Sequence, residues 1–423
     1  DIGSPPSIGS AIRHLVRRRT SVTFRIVRRR LGCQRFCFPF RLETRVRIVH
    51  TESSTVMGGQ ERRVLAESLG MRERGHDMWI AATPGGALAD RAAEAGLDVI
   101  PMSFRRPLMP ANALAFGAWT RRLQPDVVNS HSSADSWTAA LARRLGPRVG
   151  ALVRSRHISV RVSPSPRHRF LYGQADYVIT TGESVRQGLA GSGLVPLERS
   201  MSIPTGVDLG RFRPGAADRA EVRRALGVAG EGPVIGVVAY LRQDKGHEVL
   251  LRAFPEILKS YPDCSLVIVG DGPERLNLEA VAKHLEIEKS VRFAGLREDI
   301  PIVLAGLDIF CQPSLRNEGV PQSVLQAGAV ALPVVSTEVG GIPEAVVHGK
   351  TGFLVAPDDA FALADRITAL LADRELRRGM GEAARLHVSG AFSVQRMMDR
   401  TEEAYAAAVR FAALRGGAGG PTS

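Results

Sequence analysis

Two stretches in the second half of the chain carry residues whose types and spacing suit work on a phosphorylated ligand. The first, YLRQDKGH (240–247), places Arg242 and Lys245 just past an apolar run and ahead of a glycine turn that opens a helix. Two cations there can neutralise a diphosphate leaving group, since a helix start adds unpaired N–H groups beside them. The second, NEGVPQSVLQA (317–327), sets Glu318 before a Gly and a Pro that launch a helix. Backbone N–H groups of residues 319–323 then stand at its positive end. Gln326 follows Glu318 by a little over two helical turns and lies on a nearby face. Glu318 and Gln326 can therefore contact different parts of one extended ligand. Taken singly, they equally fit a capping carboxylate and a surface amide, and Arg242 and Lys245 fit solvated surface charges. A third stretch, GDGPE (270–274), has the strand–glycine–helix form found in any α/β protein.

Such residues need rigid elements behind them, and the chain supplies strand–helix alternation from residue 45 onward. RVRIVH (45–50), MWIAAT, LDVIPM, DVVNSH (126–131), ALVRS, YVITT and SMSIP read as short buried strands. After the Gly/Ala/Pro-rich stretch 211–233 the pattern restarts with PVIGVVAYL, CSLVIVG, VRFAG, DIFCQP, PVVST and GFLVAP. Apolar runs of this length between helical periods predict doubly wound parallel sheets. The expected fold class is α/β, two tandem Rossmann-like domains facing across a cleft. The expected segments are a basic extension over 1–44, a first domain over 45–210, a linker over 211–232 and a second domain over 233–390. A helix over 391–413 returns toward the first domain, and 414–423 form a flexible tail. Ligands in such folds sit at the carboxyl ends of the strands.

The net charge of +13 suggests a nucleic-acid partner until its distribution is considered. Residues 1–47 hold twelve Arg against Asp1 and Glu43, which leaves the remainder nearly neutral. No nucleic-acid partner is expected, and the extension reads either as a poorly ordered segment or as one that suits an anionic membrane surface. No apolar run approaches the ~20 residues of a membrane span. Cys33 and Cys37 form a lone C-x3-C without the second pair of a zinc site, and Cys264 and Cys311 lie in apolar strands as buried thiols. The expected location is the cytoplasm, with peripheral attachment to the inner membrane as the sharper alternative. The segment RSRHISVRVSPSPRHRF (154–170) concentrates Arg154, Arg156, His157 and Arg161 without an intervening acid. It reads either as a solvated loop or as a dock for an anionic acceptor.

In order, these pieces resemble the family 4 retaining glycosyltransferases of GT-B fold, from about residue 45 to 410. The resemblance rests on GGQERRVLAESLGMRERGHD, IPTGVDLGRFRP, YLRQDKGHEVLLRAF, LVIVGDGPER and EGVPQSVLQAGAVALPVVSTEVGGIPEAVVHGKTGFLV. It implies that Arg242 and Lys245 hold the donor diphosphate, and that Glu318 contacts the donor sugar with the backbone of Gly319, Val320 and Pro321. It further implies that Gly58 and Gly59 form a loop closing over the phosphates, that Gly272 belongs to the donor site, and that His131 stands near the transferred sugar. Glu344, after Gly340 and Gly341, also matches. Two positions depart: Gln326 replaces the motif's second glutamate, and Thr205 an asparagine. A glutamine carbonyl still accepts a ribose hydrogen bond, without charge assistance and at a loss of roughly 1 kcal/mol. The resemblance implies a nucleotide diphosphate sugar as donor, a glycan or lipid-linked acceptor in cell-envelope or lipopolysaccharide synthesis, and retention of configuration. With no D-x-D motif in the chain, neither metal nor cofactor is expected, and cations do the electrostatic work. The alternatives are a nucleotide-sugar epimerase of the same architecture and a non-catalytic nucleotide-sugar-binding protein.

Overall fold

The computed structural model describes residues 45–417 apart from 105–108, 147–148, 161, 229 and 317. The basic extension, its Cys33 and Cys37, and the tail beyond 417 lie outside the described residues.

Strands β1 (Arg47–Glu52), β2 (Asp77–Ala82), β3 (Asp98–Pro101), β4 (Val127–Ser130), β5 (Ala151–Arg156), β6 (Tyr177–Thr180) and β7 (Ser200–Ser202) form one sheet. Their order is β3-β2-β1-β4-β5-β6-β7, and each pairing is parallel. Strands β8 (Val234–Val238), β9 (Ser265–Val269), β10 (Val291–Gly295), β11 (Ile309–Gln312), β12 (Val334–Thr337) and β13 (Gly352–Val355) form the second. Its order is β10-β9-β8-β11-β12-β13, again parallel throughout. In both sheets the first strand to form lies between the second and the fourth, the Rossmann arrangement with its switch point.

Alternation along each strand builds a core on both faces. Val234, Val267, Phe310 and Val334 pack one way, while Ile235, Ile268, Cys311 and Val335 pack the other. In the first sheet, Ile48, Ile80 and Val127 oppose Val49, Ala81 and Val128. Cys264 and Cys311 are free buried thiols, and burial pushes the Cys264 thiol up to about 12.

Two segments depart from the sequence reading. The stretch taken as a linker contains the helix Arg219–Ala225, whose N-cap Asp218 accepts from Glu221 N at 2.8 Å. Its Val222, with Leu226 and Val228, enters the core of the second sheet, and Arg223 donates to Gly306 O and Asp308 Oδ2 at 3.0 and 2.6 Å. The glycines and alanines around it hid a single amphipathic turn. The last helix, Val394–Gly417, runs four residues past its expected end. It lays Met397, Met398, Ala404, Tyr405 and Ala408 into the first sheet's core.

The chain passes between the two sheets twice, and the passages lie side by side. Val207 N donates to Phe392 O at 2.8 Å and Val394 N to Val207 O at 3.1 Å. A Cβ on Gly206 would stand 2.6 Å from Val394 Cα, so the contact requires the absence of a side chain. Gly206→Val should lower stability by roughly 1–3 kcal/mol through overpacking. Denaturant melts would check this, and an unchanged midpoint would mean that the paired passages can separate freely.

Candidate functional site

The second sheet's switch point lies between the ends of β8 and β11. After β8 the chain makes a 3-10 turn, Gln243–Lys245, and then Gly246 at φ 68° opens the helix His247–Ser260. A Cβ on Gly246 would overlap Pro313 O. Glycine thus lets this turn close on the chain leaving β11, where Leu315 N donates to Asp244 O at 2.9 Å. The result is an ion pair: Lys245 Nζ donates to Glu318 Oε1 at 2.6 Å. Ser314 Oγ donates to the same oxygen at 2.6 Å, and its hydroxyl accepts from Gln312 Nε2 at 2.8 Å. Only 6% of the Glu318 side chain is exposed, yet its Oε2 accepts no hydrogen bond among the described residues. One carboxylate oxygen is therefore held while the other is unengaged.

Arg242 bonds Asp244 through Nε and Nη2 at 2.6 and 2.8 Å and remains more than half exposed. Burial works to raise the Asp244 carboxyl, but Arg242 outweighs it and the net shift is downward. The loop carrying Gly319, Val320 and Pro321 leads into the helix Gln322–Ala329, and Gly340 and Gly341 pack against its backbone at 318–320. Gln326 is half-buried on that helix. Gly270 and Gly272 have positive φ, and a Cβ on either would overlap Ala239 O or Leu241 O. The role this shows for Gly272 is close packing of one loop on another.

The first sheet's switch point lies between the ends of β1 and β4. Asp135 Oδ2 accepts from Thr51 Oγ1 and from His131 N, both at 2.8 Å. Glu52 accepts from Ser54 N at 2.9 Å and from Gln60 Nε2. Gly58 caps the helix Gly59–Glu73, its N–H held by Glu61 Oε2 at 2.8 Å, and Gly59 is exposed with open space where a side chain would stand.

His131 lies within a line of buried side chains. Its ring is buried, with Nδ1 2.9 Å from His157 Nε2 and Nε2 3.2 Å from His50 Nδ1. Both ring nitrogens are engaged inside the protein, so the ring does not offer a free nitrogen to a sugar. His50 Nε2 continues the line to Tyr405 Oη at 2.9 Å, where Asn129 Nδ2 also bonds, and Ser155 Oγ donates to Asn129 Oδ1 at 2.9 Å. Burial brings His50 down to about 4 against the opposing pull of Glu67, and burial followed by neighbouring positive charge holds His131 and His157 well below the usual histidine range. His50, Glu67 and His131 place ligating atoms within 4.8 Å of one another. However, Arg63 donates to Glu67 Oε1 at 2.9 and 3.1 Å and already supplies the positive charge there.

The basic segment after β5 is in part drawn into the protein. The strand runs to Arg156, so Arg154 and Arg156 occupy strand positions instead of a loop. Arg154 is 9% exposed, lies 5.0 Å over the Tyr172 ring, and leaves Nε and Nη1 buried without a partner. Arg156 turns back to Val160 O and Tyr172 Oη. His157 joins the histidine line, and Arg161 lies outside the described residues. Of the segment's arginines, Arg167 and Arg169 are exposed, on the helix Pro166–Gln174.

Contacts between the two sheets' loops were the least visible in sequence. Glu344 Oε1 accepts from Glu183 N at 2.7 Å and so caps a helix of the other domain. Gln322 Nε2 donates to Thr205 O at 2.7 Å, and a Cβ on Gly319 would come within 3.4 Å of both Ser159 and Thr181. His50, Asn129 and Tyr405 were missed because a polar residue inside a strand or helix gives no sign of its partner.

Residues 218–387 match the family model "Glycosyl transferases group 1", and residues 57–211 match "Glycosyltransferase Family 4". The D-inositol 3-phosphate glycosyltransferase of Geodermatophilus obscurus is 32% identical over 333 residues, which cover 71% of this chain and 72% of that protein. A GDP-mannose-dependent alpha-(1-6)-phosphatidylinositol monomannoside mannosyltransferase of Mycolicibacterium smegmatis is 34% identical over 256 residues, 58% of this chain and 66% of that one. Another D-inositol 3-phosphate glycosyltransferase, from Corynebacterium jeikeium, is matched over 47% of its length. The chain thus spans less than two thirds of several of these relatives. A glycosyltransferase of Rickettsia africae superposes with a TM-score of 0.78 at 22% identity, over 86% of this chain and 99% of that one. Anabaena HepE, solved with UDP and glucose, gives 0.72 at 22%, over 85% and 99%. At such identities the likeness is one of fold.

Glu52 gives this site a pH signature. Burial, then Asp135, pushes its carboxyl up to about 7 from an ordinary 4.5. A raised folded pKa contributes stability that is complete below the unfolded value and is lost as pH rises through the folded one. The Glu52 contribution therefore disappears between about pH 4.5 and 7. Glu52→Gln should gain on the wild type by roughly 1–3 kcal/mol between pH 4 and pH 8. Equal stability differences at both pH values would refute the assignment.

Proposed function

The chain belongs to the family 4, group 1 glycosyl transferases, and on that premise we propose that it transfers a sugar from a nucleotide diphosphate donor, with retention and without a metal, to an anionic glycan or lipid-linked acceptor. The observation that carries this reading is the Lys245–Glu318 pair, with one carboxylate oxygen unengaged beside an exposed Arg242. Lys245 and Arg242 supply positive charge for the departing diphosphate. Glu318 Oε2 accepts from a sugar hydroxyl, and the N–H groups opening the helix Gln322–Ala329 complement negative charge in the same place. Gln326 accepts from the ribose. Gly59 leaves room for phosphate at the start of the facing helix.

Arg154 is the proposed anchor for the acceptor. A buried guanidinium with two unpartnered nitrogens is costly unless an anion completes it. The names of the relatives described above carry phosphate-bearing acceptors, which supports the same class here. A role in cell-envelope synthesis, in the cytoplasm or peripherally at the inner membrane, accords with such an acceptor. No helix among the described residues is long and apolar enough to cross a membrane.

A thermal-shift panel of UDP-, GDP- and ADP-sugars should single out one donor, and that donor should then be used in transfer assays. Lys245→Ala should lose on the order of 10²-fold in turnover; near-wild-type transfer would remove Lys245 from the reaction. Arg154→Gln should raise the acceptor KM while leaving donor affinity unchanged, and an unaltered acceptor KM would place the anion elsewhere. Donor binding with neither transfer nor hydrolysis would favour a non-catalytic binding protein, the reading that Gln326 keeps open. A new sugar nucleotide formed without acceptor would favour an epimerase.

A further inference from the structure

The hydrogen-bonded line through the first switch point has a direction, and that direction can be worked out atom by atom. Ser155 Oγ donates to Asn129 Oδ1, so the Asn129 amide nitrogen is the end that faces Tyr405, and it can only donate. The Tyr405 oxygen accepts that hydrogen and has one of its own, which His50 Nε2 at 2.9 Å is placed to accept. A neutral imidazole carries one N–H. With Nε2 accepting, the His50 proton sits on Nδ1 and is donated to His131 Nε2 at 3.2 Å. By the same rule His131 Nδ1–H is donated to His157 Nε2 at 2.9 Å, which leaves the His157 proton on Nδ1. That last N–H has no hydrogen-bond partner among the described residues, and His157 is partly buried where the other two are fully so.

We propose that Tyr405, on the last helix, is a positioning residue that fixes His50, His131 and His157 as Nδ1–H tautomers, so that His157 presents a hydrogen-bond donor to an oxygen of the bound acceptor. The tautomer order follows from the line itself, whereas the partner assigned to His157 rests on the sugar transfer proposed above. The charged groups facing the line are Arg63 and Glu67, from the helix Gly59–Glu73. Burial keeps the rings neutral, and Arg63 reinforces this. Glu67 Oε2, buried and unpartnered, is the rival acceptor that would break the order if an imidazole turned to it. A donor at His157 holds a substrate oxygen by its lone pair and does not remove a proton from it.

Long-range 1H–15N correlation spectra of the ligand-free full chain read the tautomers directly, whether or not the protein transfers sugar. The wild type should show all three rings neutral and protonated at Nδ1. Tyr405→Phe keeps the ring volume and removes the hydroxyl, so His50 and His131 should change from one tautomer to a mixture. Asn129→Asp can only accept and would draw the Tyr405 hydrogen to itself, so the order should reverse and leave His157 Nδ1 bare. Melting curves establish that each variant is folded, and if Asn129→Asp is not, Tyr405→Phe decides alone. An Nε2–H form of His131 or His157 in the wild type overturns the proposal. So does a folded Tyr405→Phe chain in which the order is unchanged, since Tyr405 would then be a packing residue alone.

Discussion

A parallel sheet wound outward from its middle leaves one gap at its carboxyl edge where neighbouring strands send their connections to opposite faces. In this protein there are two such gaps, between β1 and β4 and between β8 and β11, and the candidate groups collect around them. The helices that follow these strands start at the same edge, so their N–H groups arrive there as well. Each gap is closed by a polar tie between its two connections: Thr51 and His131 N on Asp135, and Lys245 on Glu318. The ties differ in charge. The second gap joins a cation to an anion and adds a further cation in Arg242, while the first holds two buried carboxyls and a line of neutral imidazoles.

The two gaps are held to each other by bonds that neither domain can make alone. The helix Glu183–Gly191 has no side-chain cap of its own and uses Glu344 from the second domain. Burial raises the Glu344 carboxyl while the N–H groups of Glu183 and Ser184 work to lower it. Thr205 accepts from Arg63 on one side and from Gln322 on the other, which joins the helix after Gly58 to the helix after Glu318 through one residue. The bond between the domains uses the backbone carbonyl of Thr205, while its hydroxyl accepts from Arg63 within the first domain.

The strands were legible because burial on both faces writes itself as apolar runs, and the helix His247–Ser260 starts at the glycine turn read ahead of it. Glu318 and Lys245 could be chosen because each sits beside a glycine turn at a strand end. What escaped depends on distance along the chain or on one residue of strand length. Arg154 closes the strand run ALVRS and also opens the basic segment 154–170, which suggested a loop or a dock, whereas the strand carries it inward. His50 drew no notice at the end of the strand run RVRIVH, since its partner Tyr405 lies 355 positions away. The helix Arg219–Ala225 was obscured by its setting of glycine and alanine, though Asp218 and Glu221 spell an ordinary helix start.

The return of the last helix also sets when the first domain can be completed during synthesis. Its sheet is encoded within residues 47–202, but one face of its core is covered by residues 394–417. A ribosome adding ~5–20 residues per second must make the whole second domain before that cover exists. Until then Ile48, Ile80 and Val127 lack part of their covering, and His50 and Asn129 lack Tyr405. The second sheet, whose core draws on residues 207–392, has no such wait. The nascent first domain is thus exposed to aggregation until then, and the step that ends this exposure is the docking of the last helix onto strands made long before it.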